Sequence, residues 1–366
     1  MMVRTWVLPV LVLVATVVGV LPSAVRGEIP PGFEIVQITF DSDFENRPHL
    51  NNCGQVVFSK RINQLEENEE IFFYDHDGSK IFEEICGLDE YYLTRVERSI
   101  LETHAQALSK RFDEDIELVE LGSGSAEKTR LLIESFLGKQ SSLVYVPIDI
   151  SQTALQESSE SLLLDHPRLE VHAICGEYEA GLSILNDRRT TPRLILWLGS
   201  SIGNLHKPEA QDFLAQIRSM MGETDRMLIG IDLRKDRERL ERAYDDSQGV
   251  TARFNLNLLL RINRELAGEF HLDQFKFRAR YLEDSGSVES SLVSLCDQDV
   301  AIGALNSTFH FAEGEEIHTE NSYKYSIDEI DTLANGGNMH CEARWLDEDG
   351  LYTLNLFAPG SDVGGS

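Results

Sequence analysis

Cysteine is scarce and badly placed for chemistry: Cys53, Cys86, Cys175, Cys296 and Cys341 are scattered, odd in number and never spaced as C-x-x-C. That excludes the common zinc and dithiol frameworks, so these read as ordinary buried thiols and no metal is expected. Positive charge is scarce as well. Only 33 Lys and Arg stand against 62 Asp and Glu, a formal net charge of −29. Such a charge opposes the counterion release that drives nucleic-acid binding, so no nucleic-acid partner is expected. Basic peptides are disfavoured only weakly, because an acidic surface attracts them, and small molecules lead as substrates. With 366 residues, 42% hydrophobic and 26% charged, the chain can build one large α/β domain or two that share a boundary.

Residues 5–21 form an uncharged apolar run behind Arg4, followed by Pro22 and small residues up to a candidate cleavage point near Ala24 or Gly27. Residues 1–27 read first as a secretory signal peptide, second as an uncleaved anchor, third as upstream sequence translated from a wrong start. No other membrane contact is expected. Unpaired cysteines and a cofactor made in the cytosol point instead to the cytoplasm, so the compartment stays open. Under export, Asn306-Ser307-Thr308 would be a glycosylation sequon. Residues 28–65 differ in composition, with Pro30, Pro31 and short alternating stretches around Ile35 to Phe40 and Val56 to Phe58. One string there, PHLNNCGQVVFSKRIN, is weakly similar to a single repeat of secreted β-propellers. A lone blade cannot bury a propeller core, so the segment reads as an extended arm lying on the main domain.

From about residue 112 the pattern becomes strand, Gly-rich turn, helix, strand. DIELVELGSG is an apolar strand ending in glycines, AEKTRLLIESFL has apolar residues at helical spacing, and SSLVYVPIDI is a second strand. RLEVHAICG, TPRLILWLGS and DRMLIGIDL add further strands, with helices expected over 152–164 and 208–221. This predicts an α/β fold with a doubly wound, mostly parallel sheet, whose ligands sit at the carboxyl ends of the strands. Residues 235–270 read as long helices interrupted near Gly249, then antiparallel strands follow up to TENSYKYS. The chain returns to the first sheet with EARWLDEDGLYTLNLFA, a terminal hairpin around a Glu-Asp-Gly turn.

Gly122 and Gly124, flanking Ser123 at a strand end, permit positive φ and close backbone approach to a ligand. Asp149 lies 27 residues beyond Gly122, at the end of the next strand, where a carboxylate grips ribose hydroxyls in mononucleotide-binding halves. NAD(P), FAD and S-adenosylmethionine share this arrangement. The third glycine of G-x-G-x-x-G is replaced by Glu127, and a carboxylate at the helix start would repel a pyrophosphate, so S-adenosylmethionine is favoured.

ELGSGSAEKTRLL, YVPIDIS, LGSSIGNL, GIDLRKD, AYDDSQGVTARFNLNLLLRINREL and TENSYKY, in that order and spacing, resemble the histidine Nα-methyltransferases of ergothioneine biosynthesis over roughly residues 71–358. The resemblance implies a class I Rossmann-like methyltransferase with a second, smaller mixed α+β domain: 96–234 and 325–358 for the cofactor, 66–95 and 235–324 for the substrate. It implies that Gly122, Ser123, Gly124 and Lys128 line the methionine and ribose end of the cofactor and that Asp149 holds the ribose. Glu177 and Tyr178 would flank the adenine, where relatives usually carry Asp-Phe; a solvated loop is the alternative. Asn204 and Tyr244 match positions that bind the amino acid's carboxylate, although a lone Asn in such a turn commonly caps the next helix.

Glu320 and Ser322, two apart on an expected strand, leave the same face, and the matching pair in the family holds the imidazole, with Tyr91 as a further partner. Ser290 stands where the family has a methionine against the ring, which enlarges and polarises the pocket. Tyr74 matches a tyrosine near the amine and is read as an orienter of the nitrogen; Phe72 and Phe73 beside it are core candidates. The implied reaction is successive methylation of L-histidine to trimethylhistidine (hercynine) by a monomer. The alternatives are the same chemistry on another amino acid such as a tryptophan derivative, a nicotinamide-dependent oxidoreductase, or a noncatalytic exported homologue.

Overall fold

The computed structural model describes residues 76–186 and 191–360 together with a strand at 33–37, all within one compact unit running from Gly32. The readings of residues 1–27, of most of the arm at 28–65, and of Tyr74 lie outside the described residues. Strand β1 (Phe33–Gln37) comes first, and helices α1 (His76–Cys86) and α2 (Leu93–Ser109) follow. The expected alternation then runs β2 (Glu117–Leu121), α3 (Thr129–Leu137), β3 (Leu143–Asp149), α4 (Gln152–Asp165), β4 (Leu169–Cys175), α5 (Tyr178–Asn186), β5 (Arg193–Trp197), α6 (Lys207–Met220) and β6 (Arg226–Asp232). After α7 (Arg237–Tyr244) and α8 (Val250–Glu265) come the strands β7 (Phe275–Leu282), β8 (Ser287–Ser294), β9 (Gln298–Ile302), β10 (Ser307–Phe311) and β11 (Glu316–Tyr323). Helix α9 (Ile327–Gly336) and the hairpin β12 (Met339–Leu346) with β13 (Tyr352–Pro359) close the chain.

The central sheet has the order β1-β4-β3-β2-β5-β6-β13-β12, parallel from β1 to β6 and antiparallel at the terminal hairpin. Its strands are nearly continuous apolar runs because helices cover both faces, and β5 is buried at every position. Alternation sorts those side chains into two cores. Leu118, Leu194, Leu196 and Leu228 face one layer, while Val119, Ile195, Trp197 and Ile229 face the other. The winding reverses between β2 and β5, so a crevice opens at their carboxyl ends. The turns after β2 and β5 carry Gly122 to Gly124 and Gly199 to Asn204.

Sequences between β6 and α9 build the other wall. A three-stranded antiparallel sheet, β11-β8-β7, stands beside the short β9-β10 pair. Helices α7 and α8 break at Gly249, whose φ of 71° starts α8, and Asp246 caps that start by accepting from the N–H groups of Gln248, Val250 and Thr251. In β11 the register slips between His318 and Glu320. The extra residue, Thr319, is buried and donates to Asn255 at 2.7 Å. This bulge resets the alternation, so that Glu320 and Ser322 are both delivered to the inner face. Among the described residues, no helix is long and apolar enough to cross a membrane.

Candidate active site

At the end of β2 the backbone turns through Gly122 (φ 71°) and Gly124 (φ 50°). A Cβ on Gly122 would lie 2.4 Å from Tyr178 Oη, whereas one on Gly124 would meet nothing within 4 Å. The first glycine is demanded by packing, the second leaves open space over the turn. Asp149, at the end of β3, accepts from Gly124 N–H at 3.0 Å and from Ser151 N–H at 2.9 Å. Burial pushes its carboxyl upward against those donors. Tyr178 opens α5 and is buried, its ring 6.4 Å from Trp197 and 6.3 Å from Phe213. The solvated-loop alternative therefore fails for Tyr178, and Glu177 before it is half-buried.

Lys128 reaches the same turn, where its ammonium pairs with Glu97 of α2. The Glu97 carboxylate, fully buried, also accepts from Gly199 N–H at 2.9 and 3.0 Å and from Tyr352 Oη at 2.7 Å. One buried anion thus ties the turn after β2 to the turn after β5. Beneath them Glu120 accepts from Thr129 Oγ1 at 2.6 Å and from Tyr145, and burial pushes it up to about 7. A backbone turn open to solvent, a carboxylate at the neighbouring strand end and a lysine held at the turn by Glu97 fit a nucleoside bearing an amino-acid tail. S-adenosylmethionine is such a molecule.

Tyr91, Asn204, Tyr244, Glu320 and Ser322 line a single hollow, whose apolar wall includes Phe82, Ile85 and Phe254 and whose lining also includes Gly199 to Ser201. Asp149, at the end of β3, is not among its lining residues. Gly199 (φ 76°) and Ser200 (φ 59°) make the tight turn that aims Asn204, and Ser200 Oγ accepts from Asp232 N–H at 3.0 Å. Gly203 then abuts β11 so closely that a Cβ would stand 2.8 Å from Tyr323 O and 3.5 Å from Ser322 Oγ. Asn204 does not cap α6. That place is held by His206, whose N–H donates to Glu209 at 2.9 Å.

Tyr244 Oη and Ser322 Oγ are 2.8 Å apart, and the Tyr91 ring meets the Tyr244 ring edge-on at 6.0 Å. Ser290, buried on β8, is the cross-strand partner of Glu320 and so shares its face. Burial, offset only by Lys324, pushes the Glu320 carboxyl up to about 7.

Sequence reasoning missed a buried ionic cluster behind this hollow. Lys324 donates to Tyr244 Oη at 2.6 Å and to Ser322 Oγ at 2.8 Å, and it lies 3.1 Å from Asp232. Asp232 also accepts from Tyr92 Oη at 2.8 Å and from Lys235, and burial brings Lys235 down to about 8. A signal existed: Asp232 ends an apolar strand, Lys324 shares the inward face of Glu320 and Ser322, and Glu97 interrupts the buried stripe of Leu93, Ile100 and Leu101.

A family profile described as histidine-specific methyltransferase, SAM-dependent, matches residues 60–359. The chain is 38% identical to the histidine N-alpha-methyltransferase of Mycobacterium tuberculosis, over 78% of this chain and 88% of that protein. It is 30% identical to ergothioneine biosynthesis protein 1 of Neurospora crassa over 78% of this chain, spanning 32% of that longer protein. A 4-dimethylallyltryptophan N-methyltransferase of Aspergillus fumigatus is 26% identical over 89% of this chain and 98% of its own length.

Proposed function

The chain belongs to the S-adenosylmethionine-dependent, histidine-specific methyltransferases, and we propose that it methylates the α-amino nitrogen of L-histidine to hercynine, the first step of ergothioneine biosynthesis. The observation that carries this reading is the convergence of Glu320 and Ser322 with Asn204 and Tyr244 in one hollow that borders the Gly199 turn. A carboxylate and a hydroxyl suit an imidazole; an amide N–H and a phenol O–H suit an α-carboxylate.

Residues 96–234 and 325–358 carry the cofactor in this reading, through Gly122, Ser123, Gly124, Lys128 and Asp149, with Glu177 and Tyr178 at the adenine end. Residues 66–95 and 235–324 carry most of the substrate contacts, with Tyr91 as an aromatic wall and Ser290 beside Glu320. When bound, S-adenosylmethionine supplies a methyl group already activated on a sulfonium. What the chain adds is position. Asn204 and Tyr244 fix one end of the amino acid, Glu320 and Ser322 the other, so the amine is held at the rim where the two crevices meet. That amine, with a pKa of about 8 or higher, must shed a proton before each transfer. A quaternary nitrogen has no lone pair, which ends the series at three methyl groups.

Mass spectrometry of the protein incubated with S-adenosylmethionine and the twenty amino acids tests this. Trimethylated histidine is the expected product; methylation of a different amino acid, or of none, refutes it. A second reading, a tryptophan derivative as substrate, draws on Ser290, which leaves room next to Glu320. Calorimetric titration of histidine against tryptophan, with S-adenosylhomocysteine present, separates the two.

A further inference from the structure

We propose that the triangle of Tyr244, Ser322 and Lys324 forces Ser322 to act as an acceptor, so that the pocket binds the substrate ring with a hydrogen bridging each of its two nitrogens. The inference rests on the substrate reading above and goes beyond it by fixing the proton content of the complex.

The argument is a count of hydrogens. Lys324 is fully buried, and its ammonium has three donors and no acceptor. Three acceptors surround it: Tyr244 Oη at 2.6 Å, Ser322 Oγ at 2.8 Å and Asp232 Oδ2 at 3.1 Å. Neither hydroxyl can donate to it, and no donor is left over for a ligand. The two hydroxyl oxygens also lie 2.8 Å apart, so one must donate to the other. One hydrogen therefore stays inside the triangle and one is free to leave it. A substrate carboxylate only accepts, so it takes the free hydrogen from Tyr244, and Ser322 spends its own on Tyr244.

Ser322 then shows the ring a lone pair, and the ring nitrogen facing it must carry hydrogen. The other nitrogen faces Glu320. If Glu320 is ionised, that nitrogen must be N–H; if Glu320 is protonated, its hydrogen bridges to the bare nitrogen. Both descriptions contain one proton more than a neutral ring beside a carboxylate. The ionisable groups around Glu320 are Lys324 just past the end of its strand, Tyr244 from α7 and Tyr91 ahead of α2, while Asn204 and Ser290 carry no charge. Burial already moves Glu320 up to about 7, so it gains the shared proton readily.

Proton uptake measures this directly. Hercynine is the probe, since its quaternary nitrogen cannot titrate. It is bound to the full chain with S-adenosylhomocysteine at pH 8, by calorimetry in buffers of different ionisation enthalpy. Both the free ring and Glu320 are then mostly unprotonated, and uptake of about one proton per ligand is expected. In Tyr244→Phe, Ser322 is released to donate to the ring, and uptake should fall by at least half. A merely structural Tyr244 would weaken affinity and leave uptake unchanged. Wild-type binding without uptake, or equal uptake in both proteins, overturns the proposal while leaving the substrate reading intact. Failure of both histidine and hercynine to bind the wild type would refute that reading instead.

Discussion

Replacing Glu320 by Gln should make the ligand-free protein more stable above neutral pH while weakening its affinity for histidine. The carboxyl is pushed from its ordinary 4.5 up to about 7 by burial, with Lys324 as partial compensation. A raised acid pKa means that the folded state holds a proton which the unfolded state has already lost, so stability declines as pH rises from about 4.5 to about 7 and is then flat. Two and a half units at about 1.4 kcal/mol each set the loss at roughly 3 kcal/mol. Glutamine removes that share alone; Glu120, which titrates in the same window, keeps its own. The assay is denaturant unfolding of both proteins at pH 5 and pH 8, read as the difference between the two differences, which cancels any constant cost of the amide. The variant should gain roughly 2.5 kcal/mol relative to wild type between the two pH values, since the first part of the loss is complete by pH 5. Histidine affinity should fall by roughly tenfold or more, as expected when a charged hydrogen bond is lost. No relative gain at pH 8 would mean that the empty pocket does not penalise the Glu320 anion, and the reasoning from burial would be wrong.

Other perturbations separate the two crevices. Asp149→Ala should weaken S-adenosylhomocysteine roughly 10- to 100-fold in calorimetry, the worth of charge-assisted hydrogen bonds. Asn204→Ala should lower kcat/KM for histidine by a similar factor with S-adenosylhomocysteine affinity unchanged; a parallel loss of both would remove Asn204 from the substrate side. Glu97→Ala strands the Lys128 ammonium and the Gly199 N–H, and denaturant unfolding should show a cost of about 3–5 kcal/mol. Glu329, held down at about 2 by Arg234 and Lys207 against burial, contributes stability above about 4.5 that is lost as pH falls toward 2. Glu329→Gln should therefore destabilise the protein at pH 7 and much less at pH 3.

The parallel sheet was legible because its strands are buried on both faces and so read as unbroken apolar runs, and because glycine marks the turns. The helices expected over 152–164 and 208–221 and the break near Gly249 were legible from apolar spacing and from glycine, and the structure has them at 152–165, 207–220 and from 250. Helices α1, α2, α5 and α9 and strand β9 are absent from the sequence-based expectations; α2, 17 residues long with Leu93, Ile100, Leu101, Ala105 and Leu108 on its buried face, does carry helical spacing, whereas β9 is only five residues. The site divides the same way. Asp149 and the Gly122 turn follow from strand-end geometry, whereas Asn204, Tyr244 and Ser290 became visible only through resemblance, since nothing local distinguishes them.

The pairing of Glu320 with Ser322 was expected from simple alternation, and they do share a face, yet alternation alone misplaces Thr319. Counting by twos from Glu320 sends Thr319 outward, where the protein buries it on Asn255. The bulge that reconciles these facts depends on how β11 pairs with β8, a long-range choice that no window of sequence contains. The same holds for Lys324. Its spacing from Glu320 and Ser322 gives its face, but a lysine at the end of a polar strand is normally solvated. It can be buried because Asp232, 92 positions away in the chain, arrives from the central sheet to meet it. A charge of that kind is costly unless its partners are rigid, so Lys324 ties the substrate wall to the carboxyl end of β6. That tie holds Tyr244 and Ser322 in place relative to the cofactor crevice before either ligand arrives.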